Sequence, residues 1–138
     1  MTIPTSLALI FPSSPILFSN FSTAHAAGDI SCDSSSNPCL GTAGDEFMVG
    51  GKGSNIMRSQ GGDDNIRGGN LDDDIFGGDG NDVISGGPGE DEISDGSGSD
   101  ILEGNEGADS FKCGSGTDSL DDFNLAEGDT KSSDCELF

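Results

Sequence analysis

The chain has 138 residues, of which 26 are acidic and 5 basic, so its formal net charge at pH 7 is −21. A field of that sign excludes a nucleic-acid binder that works by neutralising phosphates, and it disfavours docking on an anionic membrane surface. With 23 glycines and 31% hydrophobic residues, the chain is either a disordered acidic polypeptide or a single domain that folds around cations.

The first 26 residues differ in composition from the remainder of the chain. Residues 1–26 contain no Asp, Glu, Lys or Arg, and they include apolar runs that prolines interrupt. Ala24-His25-Ala26 fits the small-x-small pattern that precedes a signal-peptidase cut. We therefore predict an export signal over 1–26 and a secreted, extracellular protein, with association with the cell surface left open. Because no basic residue precedes the apolar part, an uncleaved membrane anchor is the alternative.

Four cysteines follow the predicted signal, and they allow three pairings. The local choice pairs Cys32 with Cys39 and Cys113 with Cys135, one bond at each end of the mature chain. An even number of cysteines after an export signal favours disulfides in an oxidising compartment. A four-thiolate zinc site is the competing interpretation, although neither pair has the short C-x₂-C spacing typical of such sites. Residues 27–40 are predicted to form an N-terminal disulfide loop that caps the domain.

From Gly41 to Asp121 the chain divides into nine consecutive nonapeptides without an insertion. We call each nonapeptide a unit and number its positions from one to nine. The fourth position is Gly in eight of the nine units, with Leu71 as the exception. The sixth position is occupied by Glu46, Asn55, Asp64, Asp73, Asp82, Asp91, Asp100, Asp109 and Asp118. The eighth position is always apolar: Met48, Met57, Ile66, Ile75, Ile84, Ile93, Leu102, Phe111 and Leu120.

This period predicts an all-β fold. One apolar residue in nine fits no helix face, whereas it fits a Gly-rich turn of six residues followed by a strand of three whose middle residue points inward. Two units then complete one coil of a two-sheet parallel β-solenoid, and 41–121 provides about four and a half 18-residue coils. Residues 122–138 are predicted to cap the C-terminal end, with Phe123 and Leu125 folding onto Leu120.

The stacking of alternate units places aspartates above one another. The column formed by Asp64, Asp82, Asp100 and Asp118 would follow one edge of the solenoid, and that formed by Asp73, Asp91 and Asp109 the other. Carboxylates one strand spacing apart repel each other, and nine inward side chains make a thin core. A divalent cation between stacked turns would reverse the sign of this edge interaction.

The donor chemistry selects the cation. Carboxylate and carbonyl oxygens are hard ligands that suit Ca²⁺, which accepts six to eight oxygens in flexible geometry. Zn²⁺ or Cu²⁺ would favour imidazole or free thiolate, which the repeats do not offer if Cys113 is paired in a disulfide, and the single histidine, His25, lies in the predicted signal.

Two units match the pattern G-G-x-G-x-D-x-U-x, with U a large apolar residue, without departure: GGDGNDVIS at 77–85 and GGPGEDEIS at 86–94. In this respect the chain resembles the RTX, or hemolysin-type, calcium-binding repeat proteins. The resemblance implies a parallel β-roll that holds Ca²⁺ between turns through Asp carboxylates and loop carbonyls. The implied metal ligands are Asp64, Asp73, Asp82, Asp91, Asp100, Asp109 and Asp118.

Pairing each unit with the next but one gives seven candidate sites, of which five have Asp in both partners. Glu46 and Asn55 depart from the pattern in the other two, so about five well-ligated Ca²⁺ ions are expected.

The sequence thus predicts a secreted calcium-binding protein whose β-roll folds on binding calcium ions. The alternative is a calcium-dependent cell-surface or matrix adhesion module, with a cell-envelope or matrix partner and an outward apolar patch of Phe47, Phe76, Val83 and Ile101. Nucleic acid is not an expected partner. An enzyme is not expected either, because the mature chain has no histidine and no phosphate-binding loop, and its carboxylates are explained as ligands.

Overall fold

The computed structural model describes residues 28–32 and 38–137. The predicted export signal, 1–26, lies outside these residues. The described part of the chain contains strands, turns and bends, and none of it forms a helix that is long and apolar enough to cross a membrane. The polypeptide winds into coils whose strands belong alternately to two parallel sheets.

Strands are numbered here in chain order. The first sheet consists, in spatial order, of β1 (Asp29–Ser31), β3 (Phe47–Gly51), β5 (Asn65–Gly69), β7 (Val83–Ser85), β9 (Ile101–Glu103) and β12 (Ser119–Leu120). The second sheet consists of β13 (Thr130–Lys131), β10 (Ser110–Lys112), β8 (Glu92–Gly98), β6 (Asp74–Asp79), β4 (Ile56–Gly61) and β2 (Cys39–Leu40), and β11 (Ser115–Gly116) pairs with β8.

The strand register confirms the predicted coil of 18 residues. In the first sheet Met48 pairs with Ile66, which pairs with Ile84, which pairs with Leu102. In the second sheet Ile75 pairs with Ile93 in the same way. The chain is therefore a parallel β-solenoid, as predicted, and it has about five turns where the repeats alone predicted about four and a half.

The core is a column of the eighth-position side chains. From Met48 to Leu102 each of them is fully buried, while Phe111 and Leu120 are 1% and 6% exposed. The seventh-position side chains point the other way, and Val83, for example, is 42% exposed. This alternation confirms that the middle residue of each predicted strand is the inward one.

Three strands of the second sheet, β4, β6 and β8, are longer than the three residues that the repeat predicts. β8 has seven residues, because its pairing with β6 continues past Ser94 to Gly96 and Ser97 in the next unit. The chain on this side stays extended after the eighth position, so the first position also points into the solenoid. This orientation brings the first-position residue close to the aspartate of the same unit.

The solenoid begins before Gly41. Ile30 pairs with Met48, and Cys39 pairs with Met57, so both residues extend the eighth-position column. The disulfides formed are Cys32–Cys39, with Cα atoms 5.6 Å apart, and Cys113–Cys135, with Cα atoms 4.9 Å apart. The local cysteine pairing is thus confirmed, and one bond lies in the first coil while the other ties the C-terminal segment to the last.

Of the two apolar residues that are predicted to cover the end of the core, Phe123 and Leu125, the structure places only the first against it. Phe123 packs against the core, with its ring centroid 6.2 Å from that of Phe111. Leu125 is 77% exposed, so the prediction that it folds onto Leu120 is wrong. The physical reason is a tight turn in which the Ala126 amide donates to the Asn124 side chain, leaving Leu125 at the tip.

Candidate metal centre

The turns that connect the two sheets have left-handed backbone at the second and fourth positions of the repeat. Gly78 has φ of +114° and Gly80 of +137°, values that L-residues with side chains rarely adopt. A methyl group on Gly80 would also overlap the carbonyl group of Gly62 in the preceding coil. Leu71, the one residue that replaces Gly at the fourth position, keeps the same type of conformation with φ of +67°.

Each sixth-position aspartate is fixed by one hydrogen bond to the preceding coil. Oδ1 of Asp82 accepts the Asp64 amide at 2.8 Å, and Oδ1 of Asp100 accepts the Asp82 amide at 2.7 Å. The same bond, always across 18 residues, is made by Oδ1 of Asp64, Asp73, Asp91, Asp109 and Asp118. The structure therefore places all seven predicted ligand residues in two rows, one made of odd-numbered and one of even-numbered units.

The second carboxylate oxygen of most of these residues has no hydrogen-bond partner within the described part of the chain. Oδ2 is buried without a hydrogen bond in six of the seven: Asp64, Asp73, Asp82, Asp91, Asp100 and Asp109. A buried carboxylate oxygen that loses its water without gaining a donor costs free energy, and more so when it carries charge. Six such atoms in regular rows mark positions where a cation would interact with carboxylate oxygens that receive no hydrogen bond from the described residues.

The first-position glycines create the space that these oxygens occupy. A methyl group on Gly77 would overlap Oδ2 of Asp82, and one on Gly86 would overlap Oδ2 of Asp91. Because the first position points inward, a side chain there would compete with the carboxylate. This steric conflict explains why six of the nine units carry Gly at the first position.

Burial and mutual repulsion oppose ionisation of these carboxyl groups. Burial raises the pKa of Asp82 to about 6, and the charges of Asp64 and Asp100 add to the effect. Burial likewise raises the pKa of Asp91 to about 7, with contributions from Asp73 and Asp109. Ionised carboxylates in these rows therefore need positive charge beside them. Hard oxygen donors of this kind fit Ca²⁺, so the residues present suit the ion that the sequence predicts.

Glu46 and Asn55, which depart from the aspartate pattern, use their side chains differently. The Glu46 carboxylate accepts hydrogen bonds from the amide and the hydroxyl of Thr42 in its own turn. The Asn55 amide group donates to the Gly53 carbonyl and to Oδ1 of Asp73, the latter at 3.2 Å. The side chains of Glu46 and Asn55 thus make hydrogen bonds within the protein, whereas most of the aspartates keep one oxygen without a hydrogen bond from any described residue.

Asp129 extends one aspartate row beyond the repeats. Its Oδ1 accepts the Asp109 amide at 3.0 Å, and the residue is 3% exposed. Sequence reasoning missed it because the spacing from Asp109 is 20 residues rather than 18. Oδ2 of Asp129 accepts the Asn124 amide at 2.7 Å, so both oxygens hold the C-terminal turn in place.

Asp95 is the other buried acid that the sequence pattern did not single out. It occupies the first position of its unit, where Gly is usual, and it is fully buried. Burial raises its pKa to about 7, with contributions from the charges of Asp118 and Asp100. The available signal was the replacement of a first-position Gly by an acid within an otherwise regular repeat.

Comparison with protein families supports the same assignment. The profile of the RTX calcium-binding nonapeptide repeat matches residues 40–75, 67–101 and 85–120, with four copies. These matches span more than half of the 138 residues. Neither the curated proteins nor the solved structures include a match. The repeat profile, the 18-residue coils and the two rows of open carboxylates lead to one conclusion: the chain belongs to the RTX calcium-binding nonapeptide-repeat family.

Proposed function

We propose that this protein is secreted and that its β-roll folds when several Ca²⁺ ions bind between the stacked turns. The observation that supports this proposal is the set of six buried Oδ2 atoms without hydrogen-bond partners. Calcium, when bound, supplies the positive charge that these rows lack. The proposal includes no catalytic role, because the buried carboxylates are engaged as metal ligands.

The coupling between binding and folding follows from the same rows. In the unfolded chain the carboxylates are hydrated and far apart, whereas the roll brings them close together and buries them. Folding without cations therefore brings together repelling charges, against which the thin core, the sheet hydrogen bonds and the two disulfides must act. Because the preformed sites do not exist in the unfolded chain, the free energy of binding becomes free energy of folding. Extracellular calcium modules bind at about 10⁻⁴ to 10⁻³ M, which suits a protein that stays unfolded until export.

The hydrogen bonds assign different roles to the two carboxylate oxygens of each aspartate. Oδ1 of each aspartate holds the amide of the preceding coil and so sets the spacing of the turns. Oδ2, which has no hydrogen bond within the described residues in six of the seven aspartates, is the atom that we assign to the metal. Five pairs of units have Asp in both partners, so we propose about five well-ligated ions.

Calcium removal tests the coupling directly. The full-length chain in EDTA should give a circular dichroism spectrum of a disordered polypeptide and a large hydrodynamic radius. Millimolar CaCl₂ should convert it to a compact β-rich form, while the same concentration of MgCl₂ should be less effective because Mg²⁺ demands stricter octahedral geometry. A chelated chain that is already compact and β-rich would contradict the proposal.

The substitution Asp82→Asn tests the ligand assignment. Asn keeps an oxygen that can accept the Asp64 amide, but the carboxylate charge is lost. Because ligand charge sets calcium affinity, we expect the calcium concentration at the folding midpoint to rise about three- to tenfold. Asp79→Asn is the matched control, since it removes the same charge from an exposed residue three positions earlier. Equal calcium concentrations at the folding midpoint for the two variants would show that Asp82 is not a calcium ligand.

Export and cleavage are tested by the intact mass of the protein recovered from the culture medium. A chain that begins at Ala27, with both disulfides formed, is the expected species. Recovery of a chain that still includes residues 1–26 from the membrane fraction, and not from the medium, would instead favour the membrane-anchor alternative.

An outward apolar patch favours a second candidate function, calcium-dependent adhesion to a cell envelope or matrix. Phe47, Val83 and Ile101 occupy the seventh position on the outer face of the first sheet and are 38%, 42% and 40% exposed. Phe76, which the sequence grouped with them, lies on the second sheet, where the Arg58 guanidinium is 4.8 Å from its ring centroid. That part of the predicted patch is wrong.

Adhesion is tested by a pull-down of envelope material with and without calcium. The variant Val83→Thr/Ile101→Thr should lose calcium-dependent capture while it keeps the calcium-dependent fold. Capture that is independent of these two side chains would argue against adhesion through this patch.

A further inference from the structure

Asp95 is a buried acid that the regular repeat does not explain. It lies in β8, two residues after the core residue Ile93, and both side chains point into the roll. Its Oδ1 accepts the Gly96 amide at 2.6 Å, and its Oδ2 is buried without a partner in the described part of the chain. The side chain is fully buried, so bulk solvent does not reach this oxygen.

Asp95 faces the aspartate row of the odd-numbered units. One ligand atom each from Asp95, Cys113 and Asp118 lies within 4.8 Å of the others. Cys113 is bonded to Cys135 and offers no thiolate, so the available donors are oxygens. Asp100, in the same unit as Asp95, contributes another unpartnered Oδ2, and its amide donates to Oδ1 of Asp118 at 3.1 Å.

We propose that Asp95 is an additional calcium ligand, which gives the site between the seventh and ninth units three carboxylates, those of Asp95, Asp100 and Asp118, and the highest calcium affinity on the roll. This inference rests on the proposed function. The other sites combine two aspartates with the main chain, and their first-position residues, Gly in most units, contribute no carboxylate. Additional ligand charge raises calcium affinity, so the third carboxylate distinguishes this site.

The equivalent residue of the preceding coil is a glycine that packs closely against Asp95. Gly77 precedes Asp95 by one coil, and a methyl group there would approach the Asp95 carbonyl oxygen to 2.6 Å. A side chain at position 77 therefore cannot be accommodated beside Asp95. A proton shared among the three carboxyl groups is the competing way to satisfy them, and it makes the opposite prediction for removal of Asp95.

The position of the site suggests its role in assembly. The Cys113–Cys135 bond restrains the last coil, so closing that coil costs less conformational entropy than closing a free one. Because this site also has the highest calcium affinity on the roll, it should bind the first calcium ion, and folding should extend from this end towards Cys32.

The test compares full-length Asp95→Gly and Asp95→Asn with the exposed control Asp79→Asn. Gly is the usual residue at this position, and Asn retains an acceptor for the Gly96 amide, so both variants should fold at saturating calcium. Native mass spectrometry over a calcium titration should show that the first ion binds about tenfold more weakly to both Asp95 variants, with no such change for Asp79→Asn. Hydrogen-exchange labelling at substoichiometric calcium should show protection first in 95–120 of the wild-type chain.

The outcomes separate this inference from the proposed function. A first binding step that is unchanged or tighter in Asp95→Gly would show that Asp95 is a buried protonated acid, and would overturn the inference while leaving calcium-coupled folding intact. Protection that begins at the N-terminal coils would also count against it. A wild-type chain that binds no calcium would instead overturn the proposed function itself.

Discussion

The variant Ile84→Asp is expected to remain unfolded at every calcium concentration. Ile84 is fully buried in the middle of the eighth-position column, between Ile66 and Leu102 in its sheet. Truncation to Ala at such a site costs about 2–5 kcal/mol. Aspartate costs more, because it also places an unpaired charge between apolar side chains in a protein whose charges are already crowded.

The adjacent residue provides the matched control. Val83, one residue earlier, is also β-branched, but its side chain points outward and is 42% exposed. Val83→Asp should shift the calcium midpoint only slightly, because surface substitutions are usually worth about 0.5 kcal/mol or less. Circular dichroism and size-exclusion chromatography across a calcium titration measure both variants. A folded Ile84→Asp, or an equal loss in both, would contradict the inward assignment of the eighth position.

Acidification is expected to have opposite effects on the metal-free and the calcium-bound chain. The raised pKa values of Asp82, about 6, and Asp91, about 7, mean that the folded metal-free state binds more protons than the unfolded state between about pH 4 and 7. Stability therefore falls as the pH rises through this range. In EDTA, the chain should gain β structure as the pH is lowered from 7.5 to 5.

Calcium binding should respond to pH with the opposite sign. Protons and Ca²⁺ compete for the same Oδ2 atoms, so the calcium concentration at the folding midpoint should rise as the pH falls from 7.5 to 5.5. The variant Asp91→Asn removes one of these competing groups and should have a shallower pH dependence. A calcium midpoint that does not change with pH would show that these carboxyl groups are not the ligands.

The repeat columns predicted much of the fold. The eighth position gave the core from Met48 to Leu120, because an apolar residue at a fixed period in a chain otherwise poor in such residues has few structural explanations. The sixth position predicted the two rows of aspartates for the same reason. The positive φ of Leu71 shows that the turn conformation persists even where the residue best suited to it is absent.

Features outside the regular columns were harder to predict. β1 and β2 keep the 18-residue register, but the described residues around Ile30 and Cys39 lack the repeated Gly and Asp that identified the other units. Asp129 joins its row after a two-residue insertion that a fixed period cannot accommodate. Asp95 breaks the first-position pattern, and its role depends on which side chains stack beside it. To predict any of these features, one must know how neighbouring coils contact one another.

The stacking of nearly identical coils makes the molecule extendable. Every sheet contact between 41 and 121 joins a residue to one 18 positions away, so removing or duplicating 18 residues would leave the facing surfaces matched. Such a change would lengthen or shorten the solenoid by one coil and would change the number of calcium ions that it can bind accordingly. A lineage could thus adjust how much calcium a molecule carries through unequal recombination within the gene, without redesigning any interface.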